Sequence, residues 1–260
     1  YVIFSFFSGF NEFLFAEILL GIGGSLISGA DSAILYDTLL EINEDKEYTK
    51  IEGRTYAIGN FSEGIAGVLG GFLAISSLNM PVYIQTIVMF LSIPIAMTLV
   101  EPKSSYKLAK NFGSIITVVR DTFIKNRKLR WYIVYSSSMG IATLSIAWFV
   151  QPFLIEIDTS IIYYGIIWAF LNFTAGITSY YSYLFKNDNL LIYISLIMII
   201  SLIMLGINIS YFGLIFIILI YLLRGVITPN LRNLININST SERRATVLSL
   251  RSFVIRISFA

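Results

Sequence analysis

Long apolar runs alternate along the chain with short polar turns. A helix rising about 1.5 Å per residue needs about 20 mostly apolar residues to cross the hydrocarbon core of a bilayer. On that criterion the pattern predicts seven complete spans, at 12–37, 54–76, 82–100, 130–154, 160–184, 189–207 and 211–234. A partial span lies at each end, at 1–8 and 245–260. Pro94, Pro152 and Pro229 fall inside or at the edge of these runs, and each is expected to kink or end a helix.

Composition narrows the class. Of the 260 residues, 56% are hydrophobic and only 13% charged, whereas soluble domains average about 25% charged residues. The expected fold class is therefore an all-α membrane protein, a polytopic helical bundle. The chain has no histidine and no cysteine. That removes disulfides, Cys/His metal sites, and Cys–His or Ser–His–Asp catalysis. No metal, no cofactor and no nucleic-acid partner is expected, and the chain is read as a non-enzyme.

Basic residues concentrate in cytoplasmic loops, and here they lie almost wholly on one side. The turns near 8–12, 77–81, 155–159 and 208–210 contain no Lys or Arg. The alternate turns hold Lys46, Lys50 and Arg54, then Lys186, then Arg232, Arg243 and Arg244. On the same side lies segment 101–130, with eight basic residues. Residues 101–129 are thus expected to form a cytoplasmic linker between an N-terminal half, 1–100, and a C-terminal half, 130–260. Within the linker, "FGSIITVVRDTFI" has helical apolar spacing suited to a membrane surface. A short internal repeat supports two halves. "EGRTYAIGNF" begins at Glu52 and "ERRATVLSLRSF" at Glu242, matching Glu52 with Glu242 and Arg54 with Arg244. Parallel repeats about an axis along the membrane normal fit this pattern.

Three stretches carry a family resemblance: "LLGIGGSLISGADSAILYDTL" followed by "EGR", "WFVQPFL" at 148–154, and "RATVLSL" at 244–250. With them the chain resembles bacterial members of the major facilitator superfamily of secondary transporters. That resemblance implies a two-half, pseudo-symmetric bundle of twelve helices. It places the start of the chain at the end of helix 3 and its last residues inside helix 11. Helices 1, 2 and 12 would then lie outside it, and so would the Gly-x-x-x-Asp-x-x-Gly-Arg loop between helices 2 and 3. The bundle is therefore expected to be incomplete at both ends.

A charged side chain at the bilayer centre costs about 2.5–3.5 kcal/mol on insertion scales, so each one needs a cavity or a partner. Spacings of three and four put Glu17, Gly21, Gly24, Ser28 and Asp31 on one face of span 12–37. Glu17 and Asp31 stand roughly 21 Å apart along the axis and cannot form one dyad. Glu63 falls near mid-membrane, beside Gly67-x-x-x-Gly71, a spacing that permits close helix contact. A carboxylate buried there suits proton coupling, so Glu63 and Asp31 are the proton-coupling candidates. A second role stays open to Glu63, that of a hydrogen-bonded acid in a tight helix pair. The family resemblance suggests a cytoplasmic gate role for Asp37, with Arg54 and Arg244 beside it. Arg224, deep in span 211–234, needs an anionic substrate group or an intramembrane acid. Glu17, Trp148, Gln151, Asn172 and Arg224 are the substrate-cavity candidates.

Together these features describe a multi-pass protein of the cell membrane. It is expected to move a small-molecule substrate by alternating access, coupled to protons, and to be a monomer when full length. Drug-like amphiphiles fit an aromatic, sparsely charged cavity, and an anionic solute fits Arg224. The rival classes are an integral-membrane enzyme and a non-transporting sensor or scaffold. Substrate-dependent proton flux marks transport, product formation without flux marks the first rival, and binding without either marks the second.

Overall fold

The computed structural model describes residues 1–6, 9–77, 79–100, 102, 112–185 and 189–259. Among them the chain forms α-helices and no strand. The helices are α1 (Val2–Phe6), α2 (Phe10–Ile27), α3 (Ala30–Glu41), α4 (Tyr48–Ser76), α5 (Met80–Met97) and α6 (Phe112–Lys125). After them come α7 (Arg127–Glu156), α8 (Tyr164–Tyr180), α9 (Leu190–Ile207), α10 (Gly213–Ile237) and α11 (Ser241–Phe259). Seven stretches are long and apolar enough to cross a membrane, ending with Leu190–Ile207 and Gly213–Ile237. Helix α11 is not among them, because Arg243, Arg244, Arg251 and Arg256 interrupt its apolar run.

Span 12–37 is not one helix. It breaks between α2 and α3, where Gly29 adopts φ +84°. A Cβ there would stand 2.8 Å from the Ala245 carbonyl oxygen and 2.8 Å from the Ser249 nitrogen. Only glycine combines that left-handed backbone with so close an approach of α11. The Ser249 hydroxyl donates to the Ser28 carbonyl and closes the joint. The prolines end nothing: α5, α7 and α10 run on through Pro94, Pro152 and Pro229. Beside Pro229 the Thr228 hydroxyl donates to the Arg224 carbonyl, and the Asn230 amide to that of Val226.

The largest core gathers Ile146, Val150 and Leu154 of α7, Leu171 and Ala175 of α8, Met198 of α9, and Ile217 and Ile220 of α10. Helix α4 packs closely along α8 through small residues. Gly53 abuts Ser179, Gly64 abuts Ala169, and Gly67 lies under Trp168. Gly71, the other half of the predicted contact pair, meets open space.

Helix α6 lies within the predicted linker, and Val118 and Phe123 turn its described apolar side chains into the protein. Val118 is buried with Leu129 and Ile133 of α7, Ile235 of α10, and Val247 and Leu248 of α11. Asp121 ties α6 to α11 through Arg243, at 3.6 Å, and pairs within its own helix with Lys125, at 2.9 Å. These cations hold the Asp121 carboxyl below the usual aspartate range, the Lys125 hydrogen bond foremost. Glu101 and 103–111 of the linker, and Lys186, lie outside the described residues.

Candidate functional site

Two helices present polar side chains at every fourth position. On α4 these are Tyr48, Glu52 and Tyr56; on α10 they are Arg224, Thr228, Arg232 and Asn236. Such spacing keeps a stripe on one helix face. The two stripes meet along a seam, which α3 and α11 complete at one end.

The seam's first cluster centres on Glu52, which is 3% exposed. Arg232 donates to Glu52 Oε1, and the Tyr48 hydroxyl donates to Oε2 at 3.2 Å. Tyr48 and Ser32 share a hydroxyl contact of 2.5 Å, and the Asn236 amide reaches Ser32 at 3.4 Å. Asp31 adds a looser contact, 3.9 Å from Arg232. The second cluster centres on Arg244, also buried. It pairs with Asp37 and donates to the Ser241 hydroxyl at 2.8 Å. It also donates to the Ser239 carbonyl, at 3.1 Å, and to that of Asn236, at 3.4 Å. Its guanidinium lies 4.3 Å from the Tyr36 ring centroid. A cation at this point answers the exposed carbonyls and negative end of α10. Removing one partner of a buried ion pair typically costs about 3–5 kcal/mol, because the other charge is left behind.

Behind the Glu52 cluster lies a cavity of about 250 Å³. Its polar lining is Tyr56, Thr143, Arg224, Thr228, Arg232 and Arg251. Arg224 Nε donates to the Tyr56 hydroxyl at 2.9 Å, and its guanidinium stands 5.6 Å from the Tyr221 ring centroid. Arg251 Nε donates to the Ser136 hydroxyl of α7. Among the described residues neither arginine has a carboxylate within 4.0 Å.

The candidates read from the sequence are scattered by comparison. Asp37 and Arg244 meet directly. Arg54 does not join them; it is exposed and lies 5.2 Å from the Tyr180 ring centroid. Asp31 is exposed at the edge of the first cluster. Glu63 is exposed on α4 rather than buried. Glu17 is exposed on α2. Trp148 and Gln151 are exposed on α7 and do not line the cavity. Asn172 is buried, and its amide donates to the Trp168 carbonyl of its own helix at 3.0 Å. Arg224 alone of the cavity candidates lines this cavity. Sequence reasoning missed Glu52, Arg232 and Tyr48 as site residues, though the four-residue stripes of α4 and α10 were there to be read.

Apolar membrane-length helices, packed around a buried seam of opposite charges, define a polytopic helical membrane protein. The family model of the Major Facilitator Superfamily matches residues 1–260. The chain belongs to that superfamily, and membership supports transport of small solutes across a membrane. No curated protein and no solved structure matches the chain.

Proposed function

We propose that the protein carries a small solute by alternating access, with the α3/α4–α10/α11 seam as the seal on its cytoplasmic side. One observation carries the reading. Both buried ion pairs, Asp37–Arg244 and Glu52–Arg232, join the first 100 residues to those beyond 130, across sequence separations of 207 and 180. The acids sit on α3 and α4, the bases on α10 and α11. Such a seal holds one closed state, and its rupture lets residues 1–100 and 130–260 rock apart about a central site. The basic turns and the 101–129 linker support reading this end as cytoplasmic, in a cell-membrane protein that works as a monomer. Glu63, near mid-membrane, and Asp31, at the edge of the first cluster 3.9 Å from Arg232, are the groups through which protons couple. Glu63 acts beside Arg224.

The test is flux. The full-length protein is reconstituted in proteoliposomes carrying a pH-sensitive dye, and a library of small solutes is added outside. A solute-dependent proton flux that Glu63→Gln abolishes, while solute counterflow persists, supports coupling at that residue. Counterflow with no proton movement retains transport and removes proton coupling. Binding without counterflow favours the sensor or scaffold reading.

A further inference from the structure

Among the described residues, the cavity behind the seam is lined by three guanidiniums and by no carboxylate. Arginine keeps its charge at any physiological pH, so each one needs an anion or a set of neutral acceptors. Arg232 has Glu52. Arg224 and Arg251 have neutral oxygens instead, and in both cases it is Nε that donates, to Tyr56 and to Ser136. No carboxylate takes their Nη nitrogens among the described residues. These are the atoms that form the two-pronged donor edge matching an oxyanion.

The nearby acids do not fill this role. The Glu52 carboxylate accepts from Arg232 and Tyr48. Glu63 is not part of the cavity lining, and it is exposed. The hydroxyls of Thr143 and Thr228 are committed as donors to the carbonyls of Met139 and Arg224. Tyr56 differs from them. It accepts from Arg224, and that leaves its own proton to donate.

We propose that this cavity binds an oxyanion group of the transported solute, a carboxylate or a phosphate, between Arg224 of α10 and Arg251 of α11. The proposal rests on the transport reading above and names its substrate class. Tyr56 adds a hydroxyl donor to the same group. At about 30 Å³ per water in the liquid, the cavity has the room of about eight waters. That suits a small organic anion rather than a large amphiphile. A cationic solute would face the charges of Arg224 and Arg251, neither offset by a carboxylate within 4.0 Å among the described residues, in a poorly screened site.

Thermal unfolding of the detergent-purified full-length protein tests this directly. The probes are sodium succinate and sodium phosphate, with sodium chloride at matched ionic strength and tetraphenylphosphonium as the cation. A ligand that binds only the folded state raises Tm in proportion to the logarithm of its concentration above Kd. A saturable rise with at least one oxyanion is expected. Its apparent Kd should weaken about tenfold or more in Arg224→Gln and in Arg251→Gln. Arg224→Lys and Arg251→Lys should recover part of the loss, since they keep the charge but not the fork. If a Gln variant does not fold, its Lys variant against wild type carries the same comparison. The same rise in chloride, no response to either oxyanion, or oxyanion affinity unchanged by all four substitutions overturns the proposal. So does saturable binding of tetraphenylphosphonium that tightens when an arginine is removed. Counterflow in proteoliposomes separates the two readings. An oxyanion that binds through these arginines but shows no counterflow sustains the site and removes transport. Counterflow of a neutral or cationic solute, without oxyanion binding, sustains transport and removes the anion site.

Discussion

Arg232 of α10 holds the buried carboxylate of Glu52 on α4, across 180 positions of sequence. Tyr48 donates to the second oxygen of the same carboxylate. Glu52 is almost fully buried, whereas the Arg232 side chain is 24% exposed, so the two ends of the pair are unequal. Removing the arginine leaves a buried charge behind; removing the acid leaves a charge that can reach water. Arg232→Gln should therefore destabilise by about 3 kcal/mol, the low end for a broken buried pair, and Glu52→Gln by less. The double variant should recover part of the sum. Thermal unfolding of the four proteins checks this, and additive losses would show that the two groups do not stabilise one another.

The Asp37–Arg244 pair makes a different prediction, about access rather than stability. The 260 residues contain no cysteine, so a thiol introduced among them reports without background from this stretch. Ala33 is buried, packed with Val247 and Leu248 of α11. In Ala33→Cys a water-soluble thiol reagent should react slowly. Adding Asp37→Asn leaves Arg244 buried without its anion, at a cost on the order of 3 kcal/mol or more. That exceeds the roughly 1.4 kcal/mol equal to a factor of ten, so labelling should accelerate at least about tenfold. Unchanged labelling would mean that the pair does not hold α3 against α11.

The seven spans were legible because a bilayer sets the length of the apolar run, and the run is local. The seam was only half legible, because its contacts join helices far apart in sequence. The internal repeat matched Glu52 with Glu242 and Arg54 with Arg244. In the structure just one of each matched pair is buried: Glu52 and Arg244 enter the seam, while Glu242 and Arg54 do not. Local similarity aligned the positions but carried no information on which partner faces them. The break at Gly29 was hidden for another reason. A glycine in an apolar run leaves the period intact, so nothing in the pattern separates a helical glycine from one at φ +84°.

Gly29 is accordingly a site where a single methyl should be felt. Alanine there meets the left-handed penalty of about 1–2 kcal/mol. Its Cβ would also stand 2.8 Å from two backbone atoms of α11, closer than ordinary contact allows. Gly29→Ala should lower stability by more than about 2 kcal/mol and push α11 away. Gly21→Ala, where a Cβ meets open space, should be near neutral. Thermal unfolding distinguishes the two sites, and equal effects would contradict the close approach of α11 at residue 29.

Strong acid should loosen the docking of α6 through Asp121. The folded-state pKa of Asp121 is depressed, first by its hydrogen bond from Lys125 and then by the charges of Lys125, Arg243 and Arg120. A depressed carboxyl contributes stability at pH values above its unfolded pKa and loses it as pH falls through the folded value. Asp121 therefore helps dock α6 throughout the neutral range and ceases to do so only below the usual aspartate range. Hydrogen exchange of the α6 amides, compared at matched pH between wild type and Asp121→Asn, reads this out. The wild type should be better protected at neutral pH, and the difference should vanish in strong acid. Protection that differs equally at both extremes would assign the effect to packing around Val118 and Thr122 rather than to the Asp121 charge.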